Sequence, residues 1–328
     1  MIHSDLPLMD LHRHLDGSIR LDTIIDLGRQ YGLPLPSFDK EVLRPFVQVT
    51  TPQPGVMAFI AKFKWMVGVL VDYEAVRRVA YENVEDAENE GLDYVELRFS
   101  PWFMAEPNQL DPASVVGAIV EGVTEARRVF EPKVNLIGII SRTYGPEIGM
   151  RELDALLTKR DHLVALDLAG DEKNFPAGLF ERHFQIAREV GWEITVHAGE
   201  AAGAESVWQA IQLLGAKRIG HAVRIREDPN LIEYIKEHEI GIEANLTSNF
   251  QTSTVPSLLE HPLRGWLDAG MLACINTDDP GISNITLPYE FEVAAPAAGL
   301  NSKHTQLAQK NALKIAYLTT EEKAKFMK

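Results

Sequence analysis

The sequence predicts an α/β chain closed into a (β/α)8 TIM barrel, with a helical insertion after the first strand. Three observations lead there. Short apolar runs alternate with longer helix-like stretches, and such alternation implies a parallel sheet. There are eight such runs, the number that closes a sheet of βα units on itself. No G-x-G-x-x-G follows the first run, which argues against an open doubly wound sheet.

The expected strands are 8–11, 94–99, 135–141, 163–168, 193–197, 218–221, 241–245 and 272–277. Several are rich in β-branched residues, as strands buried on both faces are. Helical patterns at 112–130, 146–159, 177–190, 206–214, 230–238 and 258–269 lie between most of them. A long stretch separates the first two strands and reads mostly as helix, at 21–31, 55–69 and 73–89. Loops after barrel strands sit on the active-site face, so this insertion is expected to form a lid or a pocket wall. The Pro-rich piece 33–54 is expected to wander, and 280–289 to be a loop before closing helices. One domain over residues 1–328 is expected.

With 45% hydrophobic residues in 328, the chain can bury a large core. Its net charge is −15. That repels polyanions, so nucleic acid and anionic membranes are disfavoured as partners, and a small neutral substrate fits better. The lone cysteine, Cys274, permits no intrachain disulfide and points to a reducing compartment. No signal peptide or long apolar span is read, so a cytoplasmic location is expected. An acidic barrel of this kind is compatible with a monomer.

The chemistry gathers at strand ends. His12 and His14 are two apart at the end of the first strand, so both imidazoles point the same way. An H-x-H pair alone is weak evidence. However, strand five ends at His197 with Glu200 just beyond, strand six at His221, and strand eight at Asp278 and Asp279. In a barrel these ends converge on one mouth. Each residue singly reads more simply as a satisfied polar group near a loop, but that reading does not account for all of them together. Imidazoles with a carboxylate around an open position suit Zn2+. His12, His14, His197 and Asp278 are the expected ligands. Bound zinc lowers the pKa of its water from about 16 toward about 7, and Glu200 off the metal is a natural general acid/base. Strand four offers no lysine at its end to bridge a second ion, so one ion is expected. His3, His162, His183, His238, His261 and His304 read as solvated or structural, Cys274 as a buried small residue, and the acidic run 82–90 as a solvated helix face.

Seven segments in order then carry a resemblance: HRHLDGSIR at 12–20, ELRFSP at 96–101, LDLAGDE at 166–172, TVHAGE at 195–200, RIGHAV at 218–223, LTSN at 246–249 and NTDDP at 276–280. Together they resemble the adenosine deaminase family, particularly its bacterial branch, over nearly the whole chain. The resemblance implies zinc on His12, His14, His197 and Asp278, and a zinc-activated hydroxide attacking C6 of adenosine or 2′-deoxyadenosine. Ammonia and inosine or deoxyinosine are the implied products, in purine salvage. It implies that Glu200 protonates N1. His221 holds and helps deprotonate the water, while Asp279 orients it and accepts a hydrogen bond at N7. The Gly170 N–H meets N3, and Asp16 bonds the ribose 5′-hydroxyl, with His14 also near the ribose. Asp16 favours a nucleoside over adenine or a 5′-phosphate. Two positions depart from many relatives: Ala222 stands where glycine is common, and Asn245 where cysteine is.

Three rival readings remain: an adenine or other aminopurine deaminase, a non-catalytic paralogue, and a nucleic-acid deaminase. The metal set shows no erosion. The one-cysteine chain cannot provide the P-C-x-x-C of nucleic-acid deaminases.

Overall fold

A computed structural model describes residues 1–327. Eight strands pair in chain order, each parallel to the next. They are β1 (Met9–His14), β2 (Tyr94–Phe99), β3 (Lys133–Ser141), β4 (Leu163–Ala169), β5 (Glu193–Ala198), β6 (Arg218–His221), β7 (Gly241–Ala244) and β8 (Ala273–Ile275). The ring closes just beyond β8, where Asp278 N–H donates to His12 O at 2.8 Å and His14 N–H to Asp278 O at 2.7 Å. The closing bond thus brings Asp278 beside both histidines of β1. This is the expected (β/α)8 barrel.

Helices coat the outside and bury the apolar strand faces, such as Val95, Leu97 and Phe99 of β2. The alternate residues of β2 point inward. Arg98 pairs with Asp167 of β4 at 2.8 Å and Glu243 of β7 at 2.9 Å, and Arg218 of β6 pairs with Glu96. These strands are not neighbours, so the contacts cross the lumen. Buried charges persist there because each is paired and hydrogen-bonded.

Four details differ from expectation. Segment 33–54 contains a helix, Lys40–Val47, capped by Asp39, which accepts the N–H groups of Glu41 and Val42. Pro45 lies inside it, but Leu43 and Val47 on one face are buried and hold it. The segment after β8 also holds short helices, Pro280–Ser283 and Leu287–Tyr289. The pattern at 258–269 is split into a turn, Leu258–Glu260, and a helix, Leu263–Asp268. Pro262 keeps His261 extended (φ −67°, ψ 131°), as a residue before proline prefers. Finally, the run 82–90 is largely covered rather than solvated: Glu90 binds Arg13 at 2.8 Å, Asp86 binds Arg20, and Glu82 accepts from Thr23. Arg13 is buried because its neighbours His12 and His14 face the barrel.

Candidate active site

The strand ends bring four donor atoms together. His12 Nε2 lies 3.0 Å from His197 Nε2, and His14 Nε2 lies 3.1 Å from it. Asp278 Oδ1 lies 3.1 Å from His12 Nε2 and 3.3 Å from His14 Nε2. The other ring atoms decide what these contacts are. His12 Nδ1 donates to Glu243 Oε2 at 2.7 Å, and His197 Nδ1 donates to Asp167 at 3.0 Å. A carboxylate only accepts, so the proton of each neutral ring is on Nδ1 and each Nε2 carries a bare lone pair. Burial drives His197 down to about 4, against the pull of Asp167, so its ring is neutral. The bare lone pairs of His12 and His197, facing one another with no proton between them, fit a cation at their centre. Against its burial, the carboxylates of Asp279, Asp16 and Asp278 raise His14 to about 9, so the same negative groups that would hold a proton on His14 favour a cation in its place.

Local sequence makes this convergence possible. A side chain at Gly220 would strike His12 Cε1 at 2.7 Å, and one at Gly17 would strike Asp279 Oδ1 at 1.8 Å. Ser248 donates to Asp278 Oδ2 at 2.6 Å, which leaves Oδ1 for the cluster. His221, Ala222 and Asp278 all have left-handed backbone, with φ of 64°, 57° and 68°. Such strain is held at functional sites by the surrounding structure. It also explains why glycine suits position 222.

Glu200 is set by its backbone. The Glu172 carboxylate accepts the N–H groups of Gly199, Glu200, Ala201 and Ala202 at 2.6–3.1 Å. Burial, then the carboxylates of Asp278, Glu172 and Asp279, push the Glu200 carboxyl far above its usual range. This favours its protonated form, the form able to give a proton. His221 Nε2 lies 3.6 Å from Glu200 Oε2, and burial keeps its ring neutral. Burial, then Asp278, push Asp279 up as well.

These groups line one pocket. The helical insertion contributes its apolar wall through Val56, Phe59, Ile60 and Phe63, as expected of that segment. Asp16 lines the same pocket. Its Oδ2 accepts from Ser100 N–H at 3.3 Å, while its buried Oδ1 has no hydrogen-bond partner and faces His14 Nδ1 at 3.6 Å. Gly170 lines it too, with φ of 105°. A side chain at Gly170 would meet Thr143 Oγ1 at 2.4 Å, so its own packing requires glycine, quite apart from any ligand. The sequence reading missed Asp167 and Glu243, which orient the histidines, as well as Glu172, Ser248 and Asn249. Their only signal was membership of the strands and motifs already singled out.

Comparisons with known proteins agree with this geometry. A family model described as adenosine deaminase matches residues 7–328. An adenosine deaminase of Vibrio parahaemolyticus is 56% identical over 99% of this chain and 97% of its own length. Among solved structures, an adenine deaminase from Arthrobacter aurescens superposes with a TM-score of 0.91 at 23% identity, covering 98% of this chain and 97% of that one. An amidohydrolase from Burkholderia ambifaria with bound zinc gives 0.88 at 25% identity, covering 99% and 92%. Among the described residues, no helix is long and apolar enough to cross a membrane.

Proposed function

Because this chain belongs to the adenosine deaminase family and is a hydrolase that deaminates adenosine, we propose that His12, His14, His197 and Asp278 hold one zinc ion beside the purine C6. The observation that carries this reading is the meeting of the three Nε2 atoms and Asp278 Oδ1 at 3.0–3.3 Å, with the Nδ1 protons of His12 and His197 committed elsewhere. The ion, when bound, supplies Lewis acidity that makes water a nucleophile at neutral pH.

The remaining work falls to side chains. Glu200 gives its proton to N1, which leaves C6 electron-poor. His221 and Asp279 flank the attacking water. A cation held on Asp278 offsets the repulsion from that carboxylate, so Asp279 is available as a carboxylate to take the water's proton on its unpartnered Oδ1. Once protonated it donates to N7, which has a lone pair and no hydrogen. This reverses the direction of the N7 bond implied by the resemblance. The Gly170 N–H meets N3. Asp16 takes the ribose 5′-hydroxyl on its unpartnered Oδ1, with His14 beside it. That contact favours adenosine and 2′-deoxyadenosine over adenine, and a buried carboxylate there rejects a 5′-phosphate.

One chain supplies every group named, as a monomer acting as a single barrel domain requires. We place it in the cytoplasm, in purine salvage, consistent with its acidity and its buried free Cys274. The test is ultraviolet assay of adenosine, adenine and AMP, on protein stripped with a chelator and on protein refilled with zinc. Adenosine turnover should vanish and return at one zinc per chain, with adenine and AMP slow throughout. Full turnover in the stripped protein, or adenine preferred over adenosine, would refute the reading.

A further inference from the structure

A chain of hydrogen bonds runs from the backbone into the site, and its polarity is fixed at the outer end. The Leu263 N–H can only donate, and it donates to His261 Nδ1 at 3.2 Å. His261 is buried, and burial, then Arg226, drive its pKa down to about 3. The ring is neutral, so its one proton sits on Nε2. That Nε2 lies 3.1 Å from Asn249 Oδ1 and donates to it. The Asn249 amide is thereby oriented, with Nδ2 turned toward His221 Nδ1 at 2.9 Å. Asn245 Nδ2 adds a second donor at 3.3 Å. An amide nitrogen has no lone pair to offer, so His221 Nδ1 accepts and the ring's proton lies on Nε2. That N–H faces the site, 3.6 Å from Glu200 Oε2 and 3.9 Å from Asp278 Oδ2.

We propose that Asn249 and His261 are positioning residues that lock His221 as its Nε2–H tautomer, so that His221 donates a hydrogen bond to the oxygen of the attacking water and stays out of the metal's coordination shell. The contrast with its neighbours supports this. His12 and His197 have carboxylates at Nδ1 and present bare Nε2 atoms. His221 has amides at Nδ1 and presents a proton. Its ligand atoms would otherwise fit the same cluster, since they lie within 4.8 Å of those of His12, His197 and Asp278. The tautomer therefore decides which imidazoles bind the ion. It also removes the deprotonating role that the resemblance implies for His221. The water's proton passes instead to Asp279, whose buried Oδ1 lines the same pocket without a partner, and the O–H electron pair stays on the oxygen as it bonds to C6.

The inference rests on the active-site reading above, and its test separates the two. Zinc-loaded protein with 15N-labelled histidine is examined by long-range 1H–15N correlation, which reads each ring's tautomer without turnover. His221 should show a protonated Nε2 and a bare Nδ1. Asn249→Asp offers acceptors only. It should move the proton to Nδ1 and lower kcat for adenosine roughly 10- to 100-fold, with KM within about threefold and zinc content unchanged. His261→Phe frees the amide to turn and should give a mixed tautomer with a smaller loss. A protonated Nδ1 in the unaltered protein overturns the proposal, even if Asn249→Asp fails to fold. So does an inverted ring in Asn249→Asp with unchanged kcat. Failure of the zinc site itself would appear separately, in the metal content of the unaltered protein.

Discussion

The carboxylate of Glu172 accepts the backbone N–H of Glu200 at 3.1 Å, and it gathers the three flanking N–H groups with the same two oxygens. One buried side chain thus fixes the turn that aims the proposed proton donor. Glu172→Gln replaces one acceptor oxygen with a donor that faces N–H groups. Hydrogen bonds to charged groups contribute about 1.5–3 kcal/mol. The variant should lose stability of that order and at least about tenfold in kcat, with zinc retained. Thermal denaturation and metal analysis on the same sample check this.

Glu200 and Asp278 should separate by phenotype. Glu200→Gln keeps the shape but cannot give a proton, so kcat should fall by roughly 100- to 10,000-fold with one zinc still bound. Asp278→Ala removes a proposed ligand, so zinc should be lost during chelator competition that the unaltered protein withstands. Near-normal turnover in Glu200→Gln would remove it from the role of general acid.

Asp16 carries the choice of nucleoside over base. Asp16→Asn should lower kcat/KM for adenosine roughly 10- to 100-fold, the worth of a hydrogen bond to a charged group. With 5′-deoxyadenosine, which lacks the hydroxyl, the same substitution should cost little. Equal losses on both substrates would place the effect of Asp16 elsewhere, for example on the Ser100 N–H it already holds.

Glu290 gives a pH-dependent stability outside the site. Burial raises its carboxyl from 4.5 to about 8, and its Oε1 has no partner. A carboxyl whose folded pKa is raised supports the fold fully below its unfolded pKa. That support is lost progressively as pH rises from the unfolded value to the folded one, so most of it is gone by pH 7.5. Glu290→Gln keeps the neutral shape, so it should be no more stable than the original at pH 4. At pH 7.5 it should be more stable by on the order of 2 kcal/mol. Denaturant titrations at the two pH values measure the difference. A gain that is equal at both would refute the assignment.

The barrel and its reacting side chains were legible because strand ends obey simple rules. His12 and His14 share a face by period two, His197 and His221 sit at strand ends, and Asp278 follows β8 by three residues where the ring closes. What was not legible depends on pairing across the lumen. Glu243 reaches His12 and Asp167 reaches Arg98 between strands that are far apart in sequence and not adjacent in the sheet, and no local pattern marks such partners. The helix Lys40–Val47 hid behind Pro45, because its burial on Leu43 and Val47 is a tertiary effect. The acidic run 82–90 read as solvated because Arg13 and Arg20, its partners, lie some seventy residues earlier.

The chemistry turns on the position of one ion. Anomalous diffraction at the zinc edge, from crystals of the zinc-refilled protein, tests it most directly. It should show a single peak within about 2.0–2.2 Å of His12 Nε2, His14 Nε2, His197 Nε2 and Asp278 Oδ1, with His221 Nε2 beyond bonding reach. A peak ligated by His221 in place of His14, or none among these four atoms, would contradict it.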